Sequence, residues 1–254
     1  MNKQAFIIIN LLVVIATIFM SYYSNTGALN DNTMGSLSNE YSSVFTPAGY
    51  AFSIWGLIYF GLIGHAIHLF GKKAEAVQIQ AKWMALANLG NIAWVFLWLY
   101  EFTALSVLAM SFILYCLVRL TVELNIGFKK LAVWTWWPIS IYTGWIVVAL
   151  VANTSAYLSK VGWEWLLSEN AWAIVIMLIS FFIYLFLLLK RNLAYSAYVG
   201  VWALGAIAMK HWDNLATVQW VAFVLAIILF GISVWQDYKT RTALKAYTSR
   251  AVQD

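Results

Sequence analysis

Long apolar runs separated by short polar segments form the basic pattern of this chain. Most of the runs approach the roughly 20 residues that an α-helix needs to cross a bilayer. Within each run the apolar character is continuous rather than alternating, which favours helices over the strands of a membrane barrel. The pattern predicts eight helices, at 5–23, 48–70, 82–100, 103–121, 132–157, 170–189, 193–209 and 215–236.

The composition is that of a membrane protein. Of the 254 residues, 63% are hydrophobic and 10% are charged, whereas a soluble domain carries roughly 25% charged residues. So much apolar surface cannot be buried in one water-soluble core. We therefore predict an all-α, polytopic membrane helix bundle with about eight transmembrane helices in contact with the lipid bilayer. The first run follows Lys3 and is predicted to be a retained helix rather than a signal peptide.

The positions of the basic residues orient this bundle. With the N-terminus in the cytoplasm, only Lys160 and Lys210 of the 15 Lys and Arg residues fall on the outer side. Because Lys and Arg are enriched on the cytoplasmic side, we predict a multi-pass protein of a bacterial-type inner (cell) membrane with both termini cytoplasmic. The segment 239–254 is predicted to be a basic cytoplasmic tail near anionic headgroups. These segments account for the net charge of +5, so no nucleic-acid partner is indicated.

Tryptophan is abundant, with 15 residues. Ten of them fit a belt at the membrane interface: Trp83, Trp134, Trp136, Trp137, Trp163, Trp165, Trp172, Trp212, Trp220 and Trp235. The other five lie further inside their runs: Trp55, Trp94, Trp98, Trp145 and Trp202. An indole at that depth packs against helices, lipid or a ligand. Simple helix packing and a ligand wall are the two interpretations of these five.

The richest aromatic stretch is 45–59. Pro47 is predicted to open a helix there, because proline is tolerated in a first helical turn. Four rings follow: Tyr50, Phe52, Trp55 and Tyr59. The last three are spaced three and then four apart, so they share one helix face. If that face points into the bundle, its rings can wall a pocket for a flat apolar molecule.

A few polar residues lie inside the runs. Asn91 is three residues before Trp94 on the same face, and Asn153 lies near the outer end of the fifth run; such amides either bond across helices or orient a ligand. His65 and His68 are weak candidates for haem or metal ligation, because the sequence places no carboxylate or cysteine beside them. No charged residue lies in the middle of a run, which argues against an ion-coupled pump. No phosphate-binding loop or hydrolase motif is present, so an enzyme is not favoured.

Three motifs resemble the translocator protein / tryptophan-rich sensory protein family. Residues 55–59 are similar to its second-helix Trp-x-x-Leu-Tyr, and 91–94 to its third-helix Asn-x-x-Trp. Residues 142–145, followed by Asn153, resemble its fifth-helix Tyr-x-x-Trp and later Asn. The likeness covers roughly residues 1–157.

The chain also departs from the family pattern. The double proline of the family is reduced to Pro47, and Ile58 replaces the leucine of the second-helix motif. Pro138 lies further before the fifth-helix tyrosine than the family's proline does. Three extra helices, over 158–238, follow the five-helix core of 1–157. They are expected either to cover the pocket or to replace a dimer interface.

The resemblance implies a membrane protein that binds a flat hydrophobic molecule, such as a porphyrin, haem or sterol-like lipid, in sensing or regulation. The loop 24–46 would form a lid over the pocket. The implied ligand-binding residues are Pro47, Tyr50, Phe52, Trp55, Tyr59, Asn91, Trp94, Trp98, Tyr142, Trp145 and Asn153. The alternatives left open are a transporter of an apolar molecule, a membrane redox or tetrapyrrole-modifying enzyme, and a homodimer or structural subunit of a larger membrane complex.

Overall fold

The computed structural model describes residues 2–163 and 167–250, and this part of the chain is a bundle of nine α-helices. The helices are α1 (Lys3–Tyr23), α2 (Met34–Glu40), α3 (Ile54–His68), α4 (Ala74–Leu99), α5 (Thr103–Glu123), α6 (Val133–Lys160), α7 (Glu169–Arg191), α8 (Ala194–Lys210) and α9 (Ala216–Arg250). The predicted all-α fold is confirmed. Trp165, which was assigned to the interfacial belt, lies outside the described residues.

Eight of these helices match the eight predicted runs, and α2 is an addition. Six of the described helices are long and apolar enough to cross a membrane. The other two predicted spans are α4 and α8. The first carries several amides along its length, and the second has only 17 residues. The protein is thus a multi-pass membrane bundle, while the crossing of α4 and α8 stays a prediction.

Contacts between the helix ends fit an up-and-down order. At one end, which we call the α2 end, the ends of α4 and α6 meet through Glu101 and Lys160. At the other end, the Lys3 end, the ammonium of Lys3 donates to the carbonyl of Phe70 at 3.1 Å. These two contacts group the start of α1 with the end of α3, and the end of α4 with the end of α6. The alternation of all eight helices stays a prediction.

Helix α6 is the centre of the bundle. Within the described residues, 72% of its most apolar window is buried, against 22–39% for the other five candidate spans. It packs against α3 and α5 on one side and against α7 and α8 on the other. The predicted five-helix core and the three additional helices therefore share α6 as a common wall. The division of the chain into 1–157 and 158–238 stays a prediction.

Close backbone approach joins α6 to α8, and a hydrogen bond joins α6 to α7. The hydroxyl of Ser196 on α8 donates to the carbonyl of Ser140 at 2.6 Å, and that of Tyr184 on α7 donates to the carbonyl of Gly144 at 2.7 Å. Small residues allow close approach in membrane bundles, where packing rather than the hydrophobic effect holds helices together. Helices α7 and α8 are therefore fixed to α6 by both packing and hydrogen bonds.

The predicted helix start at Pro47 is wrong. Pro47 lies in an extended segment, and the chain first makes a 3-10 helix, Gly49–Ser53, before α3 begins at Ile54. A 3-10 helix has three residues per turn rather than 3.6, so the ring positions before Ile54 do not follow the α-helical spacing. This difference decides which rings of the 45–59 stretch face inward.

Candidate functional site

A cavity of about 320 Å³ lies inside the bundle at the α2 end. Residues of α1–α6 line it. Its volume is near the lower limit of the roughly 300–1,000 Å³ of small-molecule sites. The wall residues are Ser21, Asn25, Met34, Gly35, Ser38, Asn39, Tyr41, Thr46, Gly49, Phe52, Trp55, Tyr59, Trp94, Val95, Trp98, Met110, Trp145, Ala149, Ala152, Asn153 and Ala156.

Trp55 is the centre of an aromatic cluster in this wall. Its ring is stacked with those of Tyr59 and Trp94, at centroid distances of 5.5 and 6.2 Å and interplanar angles of 23° and 22°. The rings of Tyr142 and Trp145 meet it edge to face at 6.0 and 6.4 Å. Such pairs stabilise packing, and their exposed faces suit a planar apolar molecule.

The structure brings seven of the eleven predicted site residues into the cavity wall: Phe52, Trp55, Tyr59, Trp94, Trp98, Trp145 and Asn153. The other four do not line it. Pro47 precedes the 3-10 helix, and Tyr50 is 49% exposed with its ring 5.4 Å from that of Trp202. Asn91 and Tyr142 are fully buried behind the wall.

The polar groups of the wall are uncharged throughout the described lining. Asn153 is held by Ser106, whose hydroxyl donates to its Oδ1 at 2.8 Å. This bond leaves the amide N–H groups of Asn153 available as donors. Trp94 and Trp145 each have a buried indole N–H with no acceptor among the described residues. Because an unpaired buried donor is costly, the wall favours a ligand that presents a hydrogen-bond acceptor.

The segment 24–46, predicted as a lid, contains the unpredicted helix α2. Its first turn is closed by a reciprocal pair: the N–H of Ser36 donates to the hydroxyl of Thr33 at 3.0 Å, and the N–H of Thr33 donates to the hydroxyl of Ser36 at 2.8 Å. Serine at this position replaces the Glu or Gln of the usual capping box, so the sequence signal for α2 is weak. The side-chain amide of Asn30 donates to the carbonyl of Leu99 at 3.0 Å and ties the lid to α4.

A second set of contacts, which we call the latch, fixes the far end of α2. The hydroxyl of Tyr41 donates to the carboxylate of Glu101 at 2.5 Å, and the ammonium of Lys160 lies 3.1 Å from the same carboxylate oxygen. The hydrogen bond from Tyr41, together with Lys160, lowers the pKa of the Glu101 carboxyl. The hydrogen bond to Glu101, together with burial, raises the pKa of Tyr41 to about 12.

The latch should weaken in acid. A carboxyl whose pKa is lowered by folding stabilises the fold above its ordinary pKa of about 4.3, and that contribution is lost as the pH falls through the lowered value. Glu101→Gln should reproduce the loss at neutral pH. Since exposed ion pairs contribute about 0–1 kcal/mol, we expect amide hydrogen exchange in α2 to become up to about fivefold faster.

The matched control is Glu123→Gln, which breaks an exposed pair with Arg119 on α5, away from the lid. It should leave exchange in α2 unchanged. Equal exchange rates in α2 for wild type and Glu101→Gln would show that the latch does not hold the lid.

Helix α8 supports the rim of the cavity, a role that sequence reasoning missed. The indole N–H of Trp202 donates to the carbonyl of Ala51 at 3.1 Å. The Nε2 of His211, which follows α8, is 2.8 Å from the carbonyl oxygen of Val44 and donates to it. Both acceptors lie in the segment that leads from the lid into α3. The additional helices therefore position this segment, and neither contact can be read from local sequence.

The histidines of α3 were weak candidates for metal ligation, and one of them, His65, is hydrogen-bonded to the backbone of α6. Nδ1 of His65 is 2.9 Å from the carbonyl oxygen of Trp134 and donates to it. Within the described part of the chain, no group of three or more His, Cys, Asp and Glu residues could hold a metal ion. His65 and His68 do not line the cavity.

Comparison with curated proteins and with solved structures returned no match. A family model described as TSPO-like protein matches residues 7–235. This range includes both the α3–α6 walls of the cavity and most of the three C-terminal helices, so the match covers far more than the 1–157 over which the motif resemblance was detected. With nine-tenths of its length matched, the chain belongs to the TSPO-like protein family.

Proposed function

We propose that this protein binds a flat hydrophobic small molecule, of the porphyrin, haem or sterol-like class, in the cavity at the α2 end. The single observation that carries this proposal is the convergence of Trp55, Tyr59 and Trp94 on one wall as a stacked array. A row of parallel rings is the surface that a planar apolar molecule covers best. The stacking arises from three residues on two different helices, so it requires the tertiary fold.

The polar groups support a defined orientation of the ligand. Asn153 and the two unpaired indole N–H groups, of Trp94 and Trp145, are all donors. A few placed donors in an otherwise apolar wall are the usual way in which a small-molecule site fixes orientation. The proposed ligand therefore carries at least one acceptor, such as a carbonyl, hydroxyl or carboxyl oxygen, at its inserted end.

The small size of the cavity supports a movement of α2, the proposed lid, when a large ligand binds. About 320 Å³ suits a small ligand, whereas a tetrapyrrole is large enough to require displacement of α2. The lid is seven residues long and is held by single hydrogen bonds and the latch. A role in sensing or regulation would fit this arrangement, because a bound ligand would change the position of α2.

Filling the cavity should abolish binding without removing any aromatic ring. Ala152 lies in the wall on α6, and Ala152→Phe places a ring in the space that the ligand would occupy. We expect the saturable titration of purified protein with protoporphyrin IX to be lost, or its midpoint to rise at least about tenfold, the equivalent of about 1.4 kcal/mol.

The matched control is Ala16→Phe, an equal change at an exposed position of α1. It should titrate like wild type. A sterol is titrated in parallel to show which of the two ligand classes the protein binds. Both classes are proposed to occupy this one cavity. Unchanged binding of both ligands by Ala152→Phe would overturn the assignment of this cavity as the ligand site.

A further inference from the structure

One face of α4 is polar below the aromatic cavity. Gln80, Asn88 and Asn91 lie at helical spacing on this face, with Met84 at the position between Gln80 and Asn88, and all are buried. From Gln80 to Trp94 in the cavity wall this stripe runs about 21 Å, at 1.5 Å per residue. It therefore extends from the cavity through most of the apolar thickness of a bilayer.

The neighbouring helices add polar groups to the same stripe. On α1, the hydroxyl of Thr17 lies 3.4 Å from the carbonyl oxygen of Asn88, which fixes the register of the two helices. Asn10 lies two turns before Thr17 on α1, so it is at the depth of the lower part of the α4 stripe. Its side chain is 1% exposed. On α6, Tyr142 is fully buried and its ring packs against Trp55 of the cavity wall.

Many polar atoms of this seam lack a protein partner. Both side-chain polar atoms of Asn10, Oδ1 of Asn88 and Oε1 of Gln80 are buried with no hydrogen bond to the described residues. Asn91 and the hydroxyl of Tyr142 lie close enough to interact with each other. Native buried polar groups are nearly always paired, with protein or with ordered water, and in a bilayer the surrounding lipid offers no partner. A row of four unpaired atoms in one seam therefore points to internal water.

The seam is closed at the Lys3 end. Ile7, Leu69, Val77 and Ala81 form a small apolar cluster there, separate from the main core and at most 2% exposed. Ile7 is three residues before Asn10, and Val77 is three before Gln80, so this cluster lies directly below the polar groups. At the other end the stripe continues into the wall of the cavity through Trp94.

We propose that the seam between α1, α4 and α6 holds a file of water molecules that is supplied from the cavity and ends at the apolar cluster. Amide and hydroxyl groups both donate and accept, which suits water. Charged side chains, which a bound metal cation would require, are absent from these seam positions among the described residues. The file is a dead end, so it hydrates the bundle interior without opening a path across the membrane.

The inference does not depend on the identity of the ligand, and its test uses no ligand. In a Cys116→Ser background, single cysteines are placed at Asn88 and at Leu89, which is 48% exposed on the lipid side of the same helix. Ag⁺ reacts with hydrated thiolate, and a thiolate does not form in hydrocarbon. We expect Asn88→Cys to be modified at least about tenfold faster than Leu89→Cys in nanodiscs. Equal rates would overturn the proposal.

A second pair repeats the test on α1. Asn10→Cys should react rapidly and Ile9→Cys, at a 43% exposed position, slowly. Stability gives an independent measurement: Asn10→Leu should lower the melting temperature, because it breaks bonds to water. If Asn10, both of whose side-chain polar atoms lack a partner among the described residues, were dry, the same change would remove a penalty and raise the melting temperature, which would also overturn the proposal.

Discussion

Gly144→Ala is expected to be severely destabilising, although it adds only one methyl group. A Cβ at Gly144 would lie 2.8 Å from both the Cα and the carbonyl oxygen of Ser196 on α8. These are backbone atoms, so no side-chain rotation can relieve the overlap. The two helices would have to separate over the turn where they now touch.

That separation would break a hydrogen bond as well as the packing. The bond from Ser196 on α8 to the carbonyl of Ser140 on α6 crosses this contact. Overpacking of a close contact costs about 1–3 kcal/mol, and the lost buried hydrogen bond adds about 1 kcal/mol. We expect a total of about 2–4 kcal/mol and a large fall in the melting temperature measured in detergent or nanodiscs.

The chain provides a matched control in Gly205. It lies inside α8, and a Cβ there would meet nothing within 4 Å. Gly205→Ala should raise stability, because alanine is favoured over glycine in a helix interior by up to about 1 kcal/mol. Equal melting temperatures for the two alanine variants would show that the α6–α8 contact does not set the stability of the bundle.

The helices themselves could be predicted from the sequence because each apolar run is a local signal. All eight runs are helices, and the spacing of Trp55 and Tyr59 within α3 correctly placed both rings on the cavity side. Phe52 also lines the cavity, although it precedes α3 in the 3-10 helix. The contacts at Glu101 and at Lys3 group the ends of four helices in the pairs that the charge pattern predicts. These are properties of single segments or of their flanks, so a linear sequence contains them.

The errors arose where the outcome depends on contacts between distant segments or on a local change of helix type. Tyr50 lies in the 3-10 helix before α3 and is 49% exposed, with its ring against that of Trp202 on the distant helix α8. Asn91 and Tyr142 lie on the correct helices but behind the wall, and only the rotation of α4 and α6 against α3 decides this. The support of the rim by Trp202 joins positions 151 residues apart.

The sequence predicts that the additional helices either cover the pocket or replace a dimer interface. Their contacts bear on this question. Helix α8 packs against α6 and against the 3-10 helix that enters α3. The helix proposed as the lid, α2, comes from the first half of the chain and lines the cavity. The C-terminal helices therefore support the cavity from its side, and an oligomeric partner would have to use a different face of α6 from the one they occupy.

Trp55→Ala is expected to weaken ligand binding more than the removal of any other ring of the cavity wall. Trp55 contacts four other rings of the cluster, so its removal takes away one stacking surface and loosens the rest. Each aromatic pair contributes about 0.5–1.5 kcal/mol beyond burial. We expect the midpoint of a protoporphyrin IX titration to rise about thirtyfold, equivalent to about 2 kcal/mol.

Two further variants separate loss of the site from loss of the fold. Trp55→Phe keeps a ring of smaller area and should fall between wild type and Trp55→Ala. Trp220→Ala removes an indole of α9 that is 54% exposed and outside the cavity, so it should bind like wild type while giving an equal reduction in total tryptophan fluorescence. Melting temperatures measured on the same samples show whether Trp55→Ala remains folded. Since the stacked rings around Trp55 form the proposed contact with the ligand, a folded Trp55→Ala variant that binds with wild-type affinity would place the ligand elsewhere in the bundle.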